Sequence, residues 1–181
     1  MTPEEARNSF PGLTDKVFLD AAAIGLTPVQ ARRAIQDFLD LAVEADAEDA
    51  SQLHIAMDLL RQGPITEASR LLNVSADNIA LIESTSHGLN IAAEALPLRR
   101  GDNVLVADTE FLQVAIPWAT KHASHGVTIK RVASQDEGVL TPDAFEAAVD
   151  KRTRAICVSS VQWCSGYRVD IGAIGRMCRD R

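Results

Sequence analysis

From Asn78 onward, short apolar runs alternate with segments whose apolar residues recur at helical spacing, and few architectures satisfy that alternation. The runs are "IALIE" (79–83), "NVLVAD" (103–108), "VTIKRV" (127–132) and "AICVSS" (155–160), and the helical segments between them span 88–96, 111–124 and 142–150. Strands that are apolar along nearly their whole length need cover on both faces, and the intervening helices supply it. The reading is an α/β fold with a parallel sheet flanked by helices. Punctuation agrees: "RRGD" precedes one run, "HG" another, and Thr141-Pro142 opens a helix.

Upstream the periodicity is helical only. After a short extended piece, "KVFLDAAAIG" (16–25), Thr27 and Pro28 form an N-cap and first-turn pair, and Ala31, Ala34, Ile35, Phe38, Leu41 and Ala42 follow on one face. The pattern predicts a helix from Pro28 to about Ala47. A second helix is expected over 51–61, and Gly63-Pro64 reads as a break before a third that carries Ile65, Ala68, Leu71 and Leu72. The acidic tract "EADAEDA" between the first two reads as a solvated helix end. The organisation expected is a helical N-terminal segment over 1–76 and an α/β region over 77–181.

Composition works by exclusion. Against 25 Asp and Glu stand 18 Lys and Arg, a formal charge of -7 with no dense basic cluster, so nucleic acid is not an expected partner. No apolar stretch approaches the roughly 18 to 20 residues that span a bilayer, and "MTPEEARNSF" lacks the basic-then-apolar order of a secretory signal. A cytoplasmic protein with no membrane partner is expected. Cys157, Cys164 and Cys178 form no Cys-x-x-Cys pair and read as free thiols, while His122 and His125, without a carboxylate or thiol partner in the pattern, read as exposed helix-end residues rather than metal ligands.

In open α/β sheets a ligand sits outside the carboxyl ends of the strands, so three junctions matter: "ESTSHG", "ADTEF" and "SSVQWCSG". In the first, the backbone N–H groups of Ser86, His87 and Gly88 fall in the first turn of a helix, where no intrahelical acceptor exists and the helix dipole favours an anion. Ser84, Thr85 and Ser86 add hydroxyl donors, and Gly88 allows close approach. Two readings stay open: a phosphate site, or a helix start capped by Ser84 or Thr85. The second junction places a Glu and Phe111 at a strand end; Phe111 suits either a flat ring or the core, and Trp118 reads as helix-layer packing. The third carries Ser160 and Gln162, then Arg168 as a candidate anion binder and Asp170 as a helix N-cap. Neither Gly-x-Gly-x-x-Gly nor a P-loop is present.

Four pieces, "VFLDAAAIGLTP", "STSHGLN", "DTEFLQVAIPW" and "VQWCSGYRVDI", follow one another from Lys16 to the chain end. In that order they resemble the fold-type I, pyridoxal 5'-phosphate (PLP)-dependent class V aminotransferase family, especially its isopenicillin-N epimerase, selenocysteine lyase, cysteine desulfurase and kynureninase branches. The resemblance implies the first part of that family's large PLP-binding domain, a homodimer and an amino acid substrate. By position, Thr85, Ser86 and His87 would hold the cofactor phosphate, Phe111 would lie against the pyridine ring, and Ser160 or Gln162 would approach the ring or the substrate. "AAAIG" (21–25) resembles the segment lining the substrate entrance. Relatives often carry Thr or Glu where Ser86 and His87 stand, and desulfurases carry His near Phe111.

One departure stands out. Chemistry on this cofactor needs a lysine that forms a Schiff base and a carboxylate facing the pyridine nitrogen. Lys16, Lys121, Lys130 and Lys151 fall in no matching motif, so no catalytic residue is assigned, and the Schiff-base lysine is expected beyond residue 181. The chain reads as roughly the first half of an enzyme, without turnover of its own. A sheet cut midway leaves an unpaired edge, so self-association is expected. The alternative is a non-catalytic α/β module that binds a phosphorylated ligand or a protein partner through the same helix start. A nucleotide-binding domain is disfavoured by the missing glycine motifs.

Overall fold

The computed structural model describes residues 2–13, 15–44 and 50–181. They divide into a helical unit, Met1–Leu81, and an α/β unit, Ile82–Arg181.

The helical unit opens with α1 (Pro3–Asn8), fixed by a reciprocal capping box: Glu5 N donates to Thr2 Oγ1, and Thr2 N donates to the Glu5 carboxylate at 2.6 Å. The helix expected from Pro28 is α2 (Val29–Glu44), and the rest of its predicted span, 45–47, lies outside the described residues. So does most of the acidic tract. Beyond it the expected break fails: α3 (Ala50–Leu72) runs unbroken with Pro64 inside it. A proline removes a single i to i−4 bond, at about 3 kcal/mol, and good helix formers on both sides propagate through it. Thr66 Oγ1 donates to the Gln62 carbonyl beside the proline at 3.0 Å. No residue of α2 or α3 is buried, and Phe38, Leu39, Leu59 and Leu60 are exposed.

The α/β unit begins with α4 (Thr85–Ala95), and its sheet has three parallel strands in the order β2-β1-β3: β1 (Asn103–Ala107), β2 (Thr128–Val132) and β3 (Thr153–Cys157). The run at 79–83, expected as a fourth strand, pairs with nothing among the described residues. Ile79 closes a 3-10 turn by donating to the Ala76 carbonyl, and Ser84 already serves as the helix cap, both with extended dihedrals. An apolar extended run becomes a strand only beside a partner strand, and here it serves as the lead into α4. The "VSS" end of the 155–160 run likewise leaves the sheet and enters a loop.

Helices α5 (Leu112–His125), α6 (Pro142–Ala148) and α7 (Ile171–Arg179) complete the unit. All five residues of β1 are buried, and its alternating side chains divide between two cores. Val104 and Val106 pack with Ala93, Trp118 and Val127 on the α4 and α5 face; Leu105 and Ala107 pack with Val132, Leu140, Phe145, Val169 and Ile174 on the α6 and α7 face. Trp118 thus fills the helix layer as expected. Gly126 ends α5 at φ 69°, a left-handed C-cap that a side chain would strain.

At the amino edge of the sheet one carboxylate ties the three strands together. Asp150 accepts from Asn103 Nδ2 on β1 at 2.9 Å and from the Arg152 amide at 2.7 Å, and pairs with Lys130 on β2; Thr153 Oγ1 of β3 closes the network by donating to Asn103 Oδ1 at 2.8 Å. Led by the Lys130 hydrogen bond, then that of Asn103, these donors hold the Asp150 carboxyl far below its ordinary value of 3.8. A depressed folded-state value means the contribution is present above the unfolded value and is lost as pH falls below it. Stability should therefore hold level down to about pH 4 and then decline. Urea titrations at stepped pH should show a shallower acid decline in Asp150→Asn; an unchanged slope would refute the assignment.

Candidate functional site

The carboxyl edge of the sheet is built from the turns that follow β1 and β3. α5 leaves β1 through residues 108–111, so its start lies on that edge. α4 ends where the 96–102 connection leads into the beginning of β1, and Lys121 late in α5 bonds Glu94 late in α4 at 2.7 Å. Both helices therefore turn their N-termini toward the carboxyl edge.

At the start of α4, Ser84 is the cap: its Oγ accepts from His87 N at 3.2 Å, and its carbonyl accepts from Gly88 N at 3.1 Å. The amides of Thr85 and Ser86, at the first two helical positions, lie beyond the reach of any carbonyl of the helix. The cap and two amides without an acceptor in the helix thus coexist. Thr85 and His87 are exposed and Ser86 is half-buried. At Gly88 a Cβ would stand 2.5 Å from Ile82 Cδ1, so the missing side chain leaves room for the tip of Ile82.

The second and third junctions are joined by a residue that the sequence showed only as a Glu at a strand end. Glu110 Oε1 accepts from Ser159 N at 2.6 Å and from Gln162 Nε2 at 2.8 Å, and its Oε2 accepts from Ser159 Oγ at 2.7 Å. Thr109 Oγ1 donates to Gln162 Oε1 at 2.9 Å. Gln162, 1% exposed, therefore directs both ends of its amide at protein partners. Ser160 is exposed, and with Arg168, Asp170 and Gly172 it lines a cavity of about 460 Å³. Its neighbour Ser159 is the hydroxyl that reaches Glu110. Arg168 makes no ion pair among the described residues, and Asp170 caps α7 by accepting from Ala173 N at 2.8 Å.

Phe111 stands in the N-cap position of α5, where it makes no side-chain cap. It is 43% exposed and meets Trp163, 64% exposed, edge to face with centroids 5.5 Å apart and planes at 75°. Phe111 is therefore not a core residue. Trp163 escaped the sequence reading because an aromatic in a loop carries no period, although its place one residue after Gln162 was the available signal.

His122 and His125 are exposed as expected, with His122 Nδ1 2.7 Å from the Val127 carbonyl; no group of residues suited to a metal occurs among the described residues. Of the lysines in this unit, Lys121 is 4% exposed and bound to Glu94, Lys130 is paired with Asp150, and Lys151 lies in the turn entering β3. All three keep away from the carboxyl edge.

Residues 17–181 match the aminotransferase class-V family. The chain belongs to that family. A probable cysteine desulfurase of Methanothermobacter thermautotrophicus is 31% identical over 180 residues, covering 99% of this chain and 45% of the relative. Among solved structures, a variant of C-DES with glycine covalently linked to its PLP cofactor superposes with a TM-score of 0.88 at 20% identity, covering 97% of this chain and 46% of that one. The cysteine desulfurase CsdA of Escherichia coli gives 0.85 at 20% identity, covering 99% and 46%. The chain thus has the fold-type I α/β fold of these family members and spans about half their length.

Below the aromatic pair, burial pushes the half-buried Cys157 thiol above its ordinary value. The Glu110 charge adds to that rise, and the Trp118 indole N–H opposes it without making a close hydrogen bond to the sulfur. Cys164 and Cys178, by contrast, are exposed. Iodoacetamide at pH 8 should label Cys164 and Cys178 first and Cys157 markedly later, as followed by peptide mass spectrometry. Equal rates at all three would contradict this placement.

Proposed function

We propose that this chain forms the cofactor-cradling N-terminal part of a PLP-dependent, cysteine desulfurase-like enzyme that acts on an amino acid. The observation that carries the reading is the placement, on one edge of one sheet, of the α4 start, whose Thr85 and Ser86 amides have no acceptor in the helix, and of the solvent-facing Phe111 at the start of α5. A phosphate dianion suits the first and a flat heteroaromatic ring suits the second. Thr85, Ser86 and His87 hold the phosphate and Phe111 backs the ring. When bound, the cofactor supplies an electron sink for charge developing at the substrate Cα. Gln162 and Ser159, both tied to Glu110, keep the loop after β3 in place beside that seat, and the exposed Ser160 lies on the same loop for the substrate side.

Cysteine is the substrate best supported, through the likeness to the probable cysteine desulfurase. The lysines of the α/β unit all stand at the amino side or in ion pairs, so we assign the cofactor-anchoring lysine to the part of the relatives' length that this chain does not span. Homodimerisation is supported by the apolar residues that α2 leaves exposed, Phe38 and Leu39 among them. No described helix is long and apolar enough to cross a membrane.

The test is a PLP titration of the purified chain. Saturable binding is expected, with no covalent adduct after borohydride. Ser86→Ala should weaken it about tenfold, the worth of one hydrogen bond to a charged group. Phe111→Ser is the sharper variant: a serine cap adds about 1 kcal/mol, loss of the edge contact removes about as much, and the melting midpoint should barely move while PLP binding falls. Absence of binding by the unmodified chain would refute the proposal, as would a stoichiometric adduct on one of its own lysines.

A further inference from the structure

Glu110 binds three donors, and the two residues that supply them lie 49 and 52 positions along the chain. Its contacts of 2.6 to 2.8 Å are in the range of charge-assisted hydrogen bonds. Both carboxylate oxygens are committed, one to Ser159 Oγ and the other to Ser159 N and Gln162 Nε2, so this group is arranged to hold rather than to move a proton. The residues it holds are the immediate chain neighbours of the aromatic pair. Glu110 precedes Phe111, and Gln162 precedes Trp163. Thr109, the residue before Glu110, closes the loop by donating to the Gln162 side-chain carbonyl. Four consecutive hydrogen bonds therefore fix the backbone from which each ring projects, and the rings themselves stay at the surface.

We propose that Glu110 is a positioning residue that locks the 159–168 loop to the 108–111 turn and so sets the Phe111–Trp163 pair before any ligand arrives. The inference rests on the reading of Phe111 as the ring seat. A preset aromatic corner binds a flat ring without first losing the freedom of two side chains and a loop. Replacing Glu110 with leucine removes every acceptor while keeping much of the bulk, so all three of its ties are lost; an amide would not do this, since its NH2 can donate to the Ser159 hydroxyl.

Trp118→Phe leaves Trp163 as the single tryptophan reporter, and Glu110→Leu is compared with its parent in that background, with far-UV circular dichroism and the urea midpoint recorded for both. The expected result has two parts. Without ligand, Trp163 emission shifts to the red and is quenched more readily by acrylamide; with PLP, the dissociation constant rises about tenfold. Glu110→Asp, which keeps the charge one methylene shorter, should recover part of both. A lowered urea midpoint with unchanged Trp163 emission and quenching would mean that Glu110 only stabilises the fold, and would overturn the proposal. Should Glu110→Leu fail to fold, Ser159→Ala removes the hydroxyl tie alone and must shift Trp163 in the same direction by a smaller amount; no shift there also overturns it. If the parent chain does not bind PLP, the proposed function fails, and the Trp163 comparison alone decides on Glu110.

Discussion

The complete burial of β1 is the constraint on which the α/β unit depends. A parallel strand with a neighbour on each side and helices on each face has no solvent side, so all five residues from Asn103 to Ala107 must be small enough or apolar enough to be enclosed. Alternation then assigns Val104 and Val106 to one helix layer and Leu105 and Ala107 to the other. Two cores arise from one short strand. Phe145, fully enclosed in the second, contributes on the order of 2 to 3 kcal/mol by its burial alone. Because β1 cannot carry chemistry along its length, polar groups collect at its two ends, and the ends differ. The amino end is closed by Asp150, Asn103, Lys130 and Thr153 in a mutually satisfied network. The carboxyl end instead presents helix starts, a serine cap and two exposed rings.

Periodicity made most of this legible. Three of the four apolar runs are strands, the intervening helices stand where the spacing put them, and Asp170 and Thr141 cap α7 and α6 as their types suggest. The failures share a cause. The 79–83 run and Gly63-Pro64 were each judged on local character, yet strand formation depends on a neighbouring strand and helix continuation on the cooperativity of many residues. No local pattern carries either quantity. The helix start at Ser84 to His87 was legible because one local pattern makes it, and the joining of two distant junctions was not. Glu110 and Ser159 look unremarkable apart, and only the register that sets β1 beside β3 reveals them as partners.

Phe111 breaks a local rule that stability alone would keep. Ser, Thr, Asp and Asn are the residues that satisfy helix N-terminal amides, and a phenylalanine in the N-cap position forgoes about 1 kcal/mol of capping. Nor does it recover that by burial, since it remains substantially exposed. Its only ring partner among the described residues is Trp163, which is more exposed still. A sequence that accepts both costs in one place is under a requirement that stability does not supply, and a flat ligand laid on the ring is one that would meet it.

An edge proposed to receive an anion also carries Asp108 and Glu110, and that arrangement would be self-defeating if their charges faced outward. The hydrogen bonds show why it is not. Asp108 accepts from the Ser134 amide at 3.0 Å, and Glu110 accepts from an amide, a hydroxyl and a side-chain amide. Glu110 commits both oxygens to donors of the fold and Asp108 commits one, and these bonds tie the end of β1 to the segments following β2 and β3. Such donors stabilise a negative charge locally, so its repulsion on a second anion is reduced. At the start of α4 the Thr85 and Ser86 amides have no acceptor within the helix, and the Glu83 carboxylate stands 3.9 Å from His87 Nδ1. Under the proposed function, the carboxylates after β1 shape the edge and the helix start is left to receive the anion, a division of labour that follows from which N–H groups the fold has already used.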